Sequence, residues 1–514
     1  MSSTVETTSP RTIRAKEISK DLSGEELRAL ARAGEKTTEY GSPVYSTRVK
    51  NRSAKNTSIV ENGVQVGVMQ KPMDPARALE IVREVQETLA KMEMIQVDRR
   101  MGDDPNATLY CRLYVPRQYA RIAFMWHNML FPSDSSHEPD FVSVYVPDWP
   151  ERLIFADMSQ GYTYILGTDY PGEAKKSMLR QAMYWIKRRG GLGLHAGSKI
   201  LRVEGPDGRL RDVGFLLFGL SGTGKTTLTL HDHGLVEPEK AIIKQDDVVL
   251  MTREGRAYGT EDGFYIKTEG LEPSQTVLWG AATHPTAAYE NIRVDDSGKV
   301  DFLDTTITSN GRGVVLRRFI QGTGEGIDLP KANKIVFITR RNDVVPVCAR
   351  LTPEQAAAYF MLGESIETSA GDPTKAGQAK REVGTNPFIV GPESEEGNRL
   401  LAILRENPDM QAYILNTGSV GAKDGGNGQK ISIKVSTELM KQIAKEGIAW
   451  ERDPDWGYDV PAAVPGLDLA KYSPGTYYTP EEYRKRVDGL RAERRAWLAQ
   501  FPGLDPVIPR AVEK

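Results

Sequence analysis

Cysteine is scarce in this chain: Cys111 and Cys348 are the two that occur in 514 residues. Their number and wide separation exclude a disulfide framework and a thiolate-bound metal, leave both with structural roles, and fit a reducing compartment. An excess of charge of one sign is also missing. The 67 basic and 69 acidic residues leave a formal net charge of −2, which implies no nucleic acid or other polyanionic partner. No run approaches the roughly 18 apolar residues of a membrane span. The opening stretch "MSSTVETTSPRTIRAKEISKD" lacks the apolar centre of a signal peptide. The expectation is a cytoplasmic protein, not membrane-bound, that begins with a disordered tail over residues 1–20. Internal repeats are absent as well, which excludes a solenoid or propeller.

With 39% hydrophobic and 26% charged residues, the composition is that of an ordinary globular protein. The length exceeds one typical hydrophobic core, so two or three domains with a cleft are expected. Apolar spacing switches repeatedly between helical and strand-like periods, which predicts a mixed α/β architecture. Asp74 to Ile95 has helical spacing, while "FVSVYVPDW" and "YTYILGTDY" read as strands. The middle third is richer in strands, with "GFLLF", "KAIIK", "KVDFLD" and "KIVFITR". Residues 362–387 are rich in Gly, Ser, Thr and charge, offer little to bury, and read as a mobile linker or lid. Near the end, "TPEEYRKRVDGLRAERRAWLAQF" is a charged amphipathic helix with a Thr cap and Pro in its first turn.

Chemistry concentrates in "GLSGTGKTT", Gly219 to Thr227, directly after "GFLLF". The pattern G-x-x-x-x-G-K-[ST], placed between a strand and a helix, is a phosphate-binding loop. The loop residues Gly219, Leu220, Ser221, Gly222, Thr223 and Gly224, most of them small, bring main-chain N–H groups to phosphate oxygens. The helix start, where Thr227 follows, adds positive potential, Lys225 adds a charge, and the Thr226 hydroxyl suits Mg2+. Further on, Asp246 and Asp247 in "AIIKQDDVVLM" form an acidic pair flanked by apolar runs, as in a strand that holds a cation on the phosphates. Upstream, "GTDYPGEAKKSM" carries Lys175 and Lys176 before a helix, and "LHAGSK" carries His195 in a turn of small residues. Taken singly, a lysine pair is a solvated face and a histidine a structural residue.

Together these stretches resemble the ATP-dependent phosphoenolpyruvate carboxykinases. "GTDYPGEAKKSM" is similar to the family's Tyr-Ala-Gly-Glu-Met-Lys-Lys segment, "LHAGSK" to its Met-His-Cys-Ser-Ala-Asn turn, and "GLSGTGKTTL" to its kinase loop. "VKNRSAKNTSIV" places Arg52, and "DFLDTTITSNGRGVV" places Arg312, on the family's two substrate arginines. Further similarity in "EDGFYIKTEGL", "RLTPEQAAAYFMLG", "AYILNTGSVGA", "ISIKVST" and "VPGLD" extends the likeness from about Tyr45 to the C-terminal helix.

The resemblance implies a two-domain carboxykinase-like α/β fold. Residues 21–192 would form an N-terminal domain for oxaloacetate and phosphoenolpyruvate, and 193–514 a P-loop domain for nucleotide and metal, with a lid at about 362–387. The implied reaction converts oxaloacetate and ATP into phosphoenolpyruvate, ADP and CO2. Lys176, bound as a neutral amine, His195 and Asp247 would ligate Mn2+, with Mg2+ and ATP near Thr226. Arg52, Tyr170, Ser221 and Arg312 would bind substrate. Lys175 and Arg312 would stabilise the enolate, and Lys225 would hold the transferring phosphoryl group. Lys430 and Ser436 would complete the nucleotide site.

The chain also departs from the pattern. Val248 to Met251 replace Glu-His-Gly-Trp after the acid pair, Lys430 replaces an Arg that stacks better on a purine, Ser419 stands where the family has Trp, Gly311 replaces a Thr, and Ala54 and Asn56 replace Pro and Asp. Two other readings are a kinase for a different small carboxylate and a silent nucleotide-binding regulator. The joint presence of Arg52, Lys175, Lys176, His195, Lys225, Asp247 and Arg312 argues against silence, since a binding module needs only the loop and a metal carboxylate.

Overall fold

The chain divides into two compact units, Met1–Trp185 with Thr260–Gln321, and Ile186–Gly259 with Gly322–Lys514. The computed structural model describes residues 9–220, 222–366, 378–423, 426 and 428–513.

In the first unit a nine-stranded mixed sheet runs in the order Glu17–Ser19, Glu93–Met101, Leu109–Pro116, Phe141–Val146, Tyr162–Leu166, Leu153–Asp157, Thr57–Val60 and Pro72–Met73, with Phe131–Pro132 also pairing with Glu93–Met101. The helix Pro75–Leu89 covers it. Asp74 caps this helix by accepting from the Arg77 N–H at 3.0 Å, and Pro75 takes the first helical position. Ala78, Ile81, Val82, Val85 and Leu89 then form one stripe packed with Val142, Val144, Phe155 and Tyr164. The helical spacing continued to Ile95, but Met94 and Ile95 pair with Pro116 and Val115. Sheet formation overrides the local period there. Glu17–Ser19 pairs in parallel with Glu93–Ile95, so the disordered tail expected over 1–20 is ordered in at least its last part.

A second sheet of this unit has the order Gly263–Lys267, Arg312–Leu316, Ala288–Glu290, Pro43–Tyr45 and Lys36–Thr37. Tyr289 and Glu290 pair with Val44 and Tyr45. That pairing is why Thr260–Gln321 belongs with the N-terminal unit, whereas the expected boundary at 192/193 had assigned it to the P-loop domain. The apolar run "KVDFLD" contributes only the two-residue strand Val300–Asp301.

In the second unit, three parallel strands, Leu210–Phe218, Lys334–Thr339 and Gln411–Asn416, form the middle of an eight-stranded sheet. Leu216, Phe218, Ile335, Phe337 and Ile414 pack on one face under the helices Pro353–Leu362, Glu393–Glu406 and Pro480–Leu498. Phe215, Leu217, Val336, Ile338 and Leu415 pack on the other, with the helices Lys225–Leu230 and Ile433–Lys445. Burial on both faces explains the unbroken apolar runs. Both cysteines are buried and free. Among the described residues no helix is long and apolar enough to cross a membrane.

Glu364–Ile366 pairs antiparallel with Ala379–Arg381, so the ends of the 362–387 segment form a short hairpin base; the rest of the expected lid, 367–377, lies outside the described residues. The C-terminal helix Pro480–Leu498 starts with a capping box between Thr479 and Glu482. It buries Arg494, which donates to both Glu364 oxygens (2.8 and 3.1 Å) and to the hydroxyls of Tyr359 and Tyr458. Burial would raise the Glu364 pKa, but Arg494, Arg341 and Arg381 outweigh it and hold the carboxyl well below its ordinary 4.5.

Arg494→Ala removes one partner of this buried ion pair and is expected to lower stability by about 3 kcal/mol. Thermal unfolding checks it. Because the folded carboxyl is depressed, the wild-type advantage is full above about pH 4.5 and shrinks as acid protonates Glu364.

Candidate active site

The strand Leu210–Phe218 delivers the chain into the phosphate loop. Gly222 and Gly224 adopt left-handed backbone angles, φ 82° and 95°, that side chains with a Cβ resist, and Gly224 caps the helix Lys225–Leu230. The loop carbonyls are tied into the protein. Leu220 O accepts from Thr223 Oγ1 at 2.8 Å, Gly222 O from Arg340 Nη1 at 2.9 Å, and Thr223 O from Thr417 Oγ1 at 2.7 Å. The loop's curvature and the helix start thus suit an anion. Ser221, expected in both the loop and the substrate set, lies outside the described residues.

Lys225 is the centre of a small polar cluster. Its Nζ lies 3.4 Å from His195 Nε2 and 4.0 Å from Asp247 Oδ1, and His195 Nε2 lies 2.9 Å from Asp247 Oδ1. Beside it, Thr226 Oγ1 donates to Asp246 Oδ2 at 3.1 Å. Strand pairing explains the meeting: Leu192–Leu194 runs antiparallel to Val249–Met251, with Leu194 opposite Val249, so the residues flanking that pair, His195 and the acid pair, converge. Val248 to Met251, which depart from the family's sequence, are buried in this support.

The donor set fits divalent cations. His195 Nδ1 donates to Thr385 O at 2.7 Å, and in the neutral ring this leaves the lone pair on Nε2, facing Asp247. Carboxylate oxygen with imidazole nitrogen suits Mn2+, and the Thr226 hydroxyl with Asp246 suits Mg2+. His195 and Asp247 side chains keep 19% and 22% exposure, so an ion can reach them. Among the described residues no three or more His, Cys, Asp and Glu gather as a metal site.

The first unit collects cations. Lys175 and Lys176 are buried on the helix Gly172–Arg188. Lys175 Nζ donates to Glu261 Oε2 at 2.7 Å with both side chains 2% exposed. The Tyr265 ring centre lies 5.9 Å from Lys175 Nζ and 5.6 Å from Arg312 Cζ, so one aromatic ring serves both cations expected at the enolate. Tyr265 in turn donates its hydroxyl to Glu290 Oε1 at 2.6 Å. Arg312 Nε and Nη2 donate to Asn310 Oδ1 (3.1 and 2.7 Å), and Asn310 Nδ2 lies 3.5 Å from the Tyr170 hydroxyl. Arg52 is exposed on a loop whose next residue, Ser53, donates its N–H to Glu173. Burial pushes Glu290 up to about 7, against the Tyr265 hydrogen bond and the charges of Arg121 and Arg312.

Glu261, Tyr265, Glu290 and Asn310 were not singled out from the sequence. A lone acid or amide has no spacing signature; "EDGFYIKTEGL" marked Glu261 and Tyr265, and "DFLDTTITSNGRGVV" marked Asn310, only as part of a likeness. Lys430 sits exposed on the short strand Gln429–Lys430, and Ser436 is buried in the first turn of Ile433–Lys445. Among the described residues no hydrogen bond or ion pair joins either to the Lys225 cluster.

A phosphate loop whose lysine shares its surroundings with a His–Asp pair handles phosphate and a divalent cation in one place, which defines a metal-dependent P-loop phosphotransferase. Comparison with known proteins narrows the class. A family model described as phosphoenolpyruvate carboxykinase matches residues 16–470. Phosphoenolpyruvate carboxykinase (ATP) of Aeropyrum pernix is 38% identical over 419 residues, covering 81% of this chain and 83% of that protein. The enzyme of the same name from Geobacillus thermodenitrificans is 28% identical, covering 94% and 93%. The chain belongs to the ATP-dependent phosphoenolpyruvate carboxykinase family as a divergent member. The activity is that of a carboxy-lyase turning oxaloacetate and ATP into phosphoenolpyruvate, ADP and CO2, a gluconeogenic step, with ATP, Mg2+ and Mn2+ as cofactors. The expected fold class, reaction and cofactors are borne out.

Tyr265→Phe removes the hydrogen bond that stabilises ionised Glu290. The Glu290 pKa is expected to rise above its value of about 7, so that more of it is protonated at neutral pH, as followed by the carboxyl band in an infrared titration.

Proposed function

We propose that this chain's own residues divide the carboxykinase reaction between a substrate set, Arg52, Tyr170, Lys175 and Arg312, and a phosphoryl set, the loop from Gly219 to Thr227 with Lys225. The observation that carries the proposal is the Lys225–His195–Asp247 cluster at the mouth of a well-formed phosphate loop. Arg52 and Tyr170 bind the oxaloacetate carboxylates and keep them oriented. Loss of CO2 from a β-keto acid leaves an enolate oxygen, and Lys175 and Arg312 are the cations aimed at it.

The same oxygen attacks the γ-phosphorus, which requires in-line placement and neutralised charge more than a general base. Lys225 follows the phosphoryl group during transfer, and the loop N–H groups hold the nucleotide phosphates. His195, Asp247 and Lys176 would hold Mn2+, and Thr226 would hold Mg2+ with the nucleotide. When bound, these ions supply electrostatic stabilisation of the enolate and of the transferring phosphate. Ser221 belongs to both sets, and Lys430 and Ser436 to the nucleotide site. Exclusion of water matters because a protonated enolate ends as pyruvate.

Purified protein with oxaloacetate, ATP, Mg2+ and Mn2+ should form phosphoenolpyruvate and ADP in a metal-dependent manner, with GTP and pyrophosphate as parallel donors. ATP binding without product would instead favour a kinase with another carboxylate acceptor. Lys225→Ala and Asp247→Ala should each lower kcat by roughly 10^2–10^4 with an unchanged circular dichroism spectrum. Arg52→Ala should raise the oxaloacetate KM about tenfold or more and leave the ATP KM in place. An effect on ATP alone would remove Arg52 from the substrate set.

A further inference from the structure

Lys199 has no place in the chemistry described so far, yet it is 0% exposed in the strand Ala196–Glu204, within the second unit's sheet. The P-loop helix Lys225–Leu230 lies directly on this strand. A Cβ at Gly197 would stand 2.1 Å from Thr229 Oγ1, so only glycine allows the approach. Two residues along, the Lys199 amine reaches the other end of that helix. It donates to Leu228 O at 3.1 Å and to His231 O, carbonyls at the helix C-terminus that have no partner within the helix.

Its third contact is His233 Nε2 at 3.0 Å. His233 is itself buried, and its Nδ1 lies 3.1 Å from Thr437 O, a carbonyl that can only accept. The ring therefore donates from Nδ1 and accepts at Nε2. Three acceptors surround one nitrogen, and an ammonium has three N–H groups where a neutral amine has two. The chain Leu228/His231–Lys199–His233–Thr437 joins the P-loop helix to the Ile433–Lys445 helix, which carries Ser436.

We propose that Lys199, as a buried ammonium, is a positioning residue for the nucleotide: it caps the C-terminal end of the P-loop helix and locks it, through His233, to the neighbouring helix. The inference rests on the P-loop of the proposed function and not on the identity of the phosphoryl acceptor. A positive charge at a helix C-terminus is favourable, but here it is held where water cannot reach. Burial lowers the Lys199 pKa from 10.5 to about 7, with the Asp232 carboxylate opposing. The titratable groups that face it are His231, Asp232 and His233, and burial pulls both histidines below 6.5, so they stay neutral as Lys199 titrates.

The sign has two consequences. Between about pH 7 and 10.5 the unfolded chain binds the proton and the folded chain does not, so this group's contribution to stability rises with pH. Over the same range the cap loses its third donor. Stability and nucleotide positioning therefore move in opposite directions.

Calorimetry of the full-length protein with ATP and Mg2+ tests this, with wild type compared to Lys199→Met across pH. The variant's Kd should be about tenfold higher near pH 6, and the ratio of variant to wild type should fall towards one above roughly pH 8. Taking the ratio cancels the titration of ATP and of other site groups. An equal Kd at low pH, or a raised Kd with the same ratio at every pH, overturns the proposal, the latter because a merely structural role would not titrate. If Lys199→Met does not fold, His233→Leu serves in its place. It leaves two acceptors, which a neutral amine satisfies, so ATP affinity should lose the component that falls through about pH 7; retention of that component overturns the proposal. Binding of ATP without phosphoenolpyruvate formation would leave this inference standing and overturn the reaction.

Discussion

Antiparallel pairing of Leu192–Leu194 with Val249–Met251 is the constraint on which the phosphate-handling unit depends. It is a contact of three buried residue pairs, and it sets His195 against Asp247 at 2.9 Å. A slip of one register position would turn the side chains to the opposite face of the sheet and separate the two groups. The phosphate loop belongs to the same framework, because it leaves the central strand Leu210–Phe218, which pairs with Ala196–Glu204 immediately after His195. His195, Asp247 and Lys225 are thus held by four strands, Leu192–Leu194, Val249–Met251, Ala196–Glu204 and Leu210–Phe218. The residues after the acid pair that differ from the family pattern are apolar and buried in this support, where volume and β propensity matter more than polar chemistry.

The first unit meets a different constraint, the cost of keeping several cations out of water. Glu261 compensates Lys175 directly. Arg312 is held by an amide, Asn310, and by the face of Tyr265. These partners fix the orientation of the cationic groups. Glu290, with burial pushing it up to about 7, keeps the tyrosine in place at a modest charge. Buried cations recur in the second unit, where Arg494 answers Glu364 and Lys199 donates to main-chain oxygens and a neutral ring. In the first case charge meets charge and the pair stabilises. In the second a dipolar partner leaves the ammonium poorly compensated, and the proton becomes easy to lose.

Much of the site was legible in the sequence because its chemistry is local. The loop "GLSGTGKTT" needs glycines where the backbone turns left-handed and a Lys-Thr at the helix start, and those demands are written in consecutive residues. The helix from Asp74 and the strand "GFLLF" were likewise readable from a cap, a stripe and an apolar run. The end of that helix was not, since Met94 and Ile95 suit either a helix or a strand and pairing with Val115 and Pro116 chose the strand. Nor was the assignment of Thr260–Gln321 to the first unit, which rests on the parallel pairing of Tyr289 and Glu290 with residues far earlier in the chain.

By itself the sequence determined the class of chemistry: a phosphate loop, an acid pair, a lysine pair and two arginines in the order of a known family, with nothing to suggest disulfides, membrane spans or nucleic acid. Only the tertiary structure decided which groups support them. Glu261, Tyr265, Glu290, Asn310, Lys199 and His233 have no spacing signature, because their partners lie across strands and helices that sequence separation does not reveal. A buried charge acquires its meaning from the acceptors that surround it, and those are assembled only when the sheet closes and water is removed.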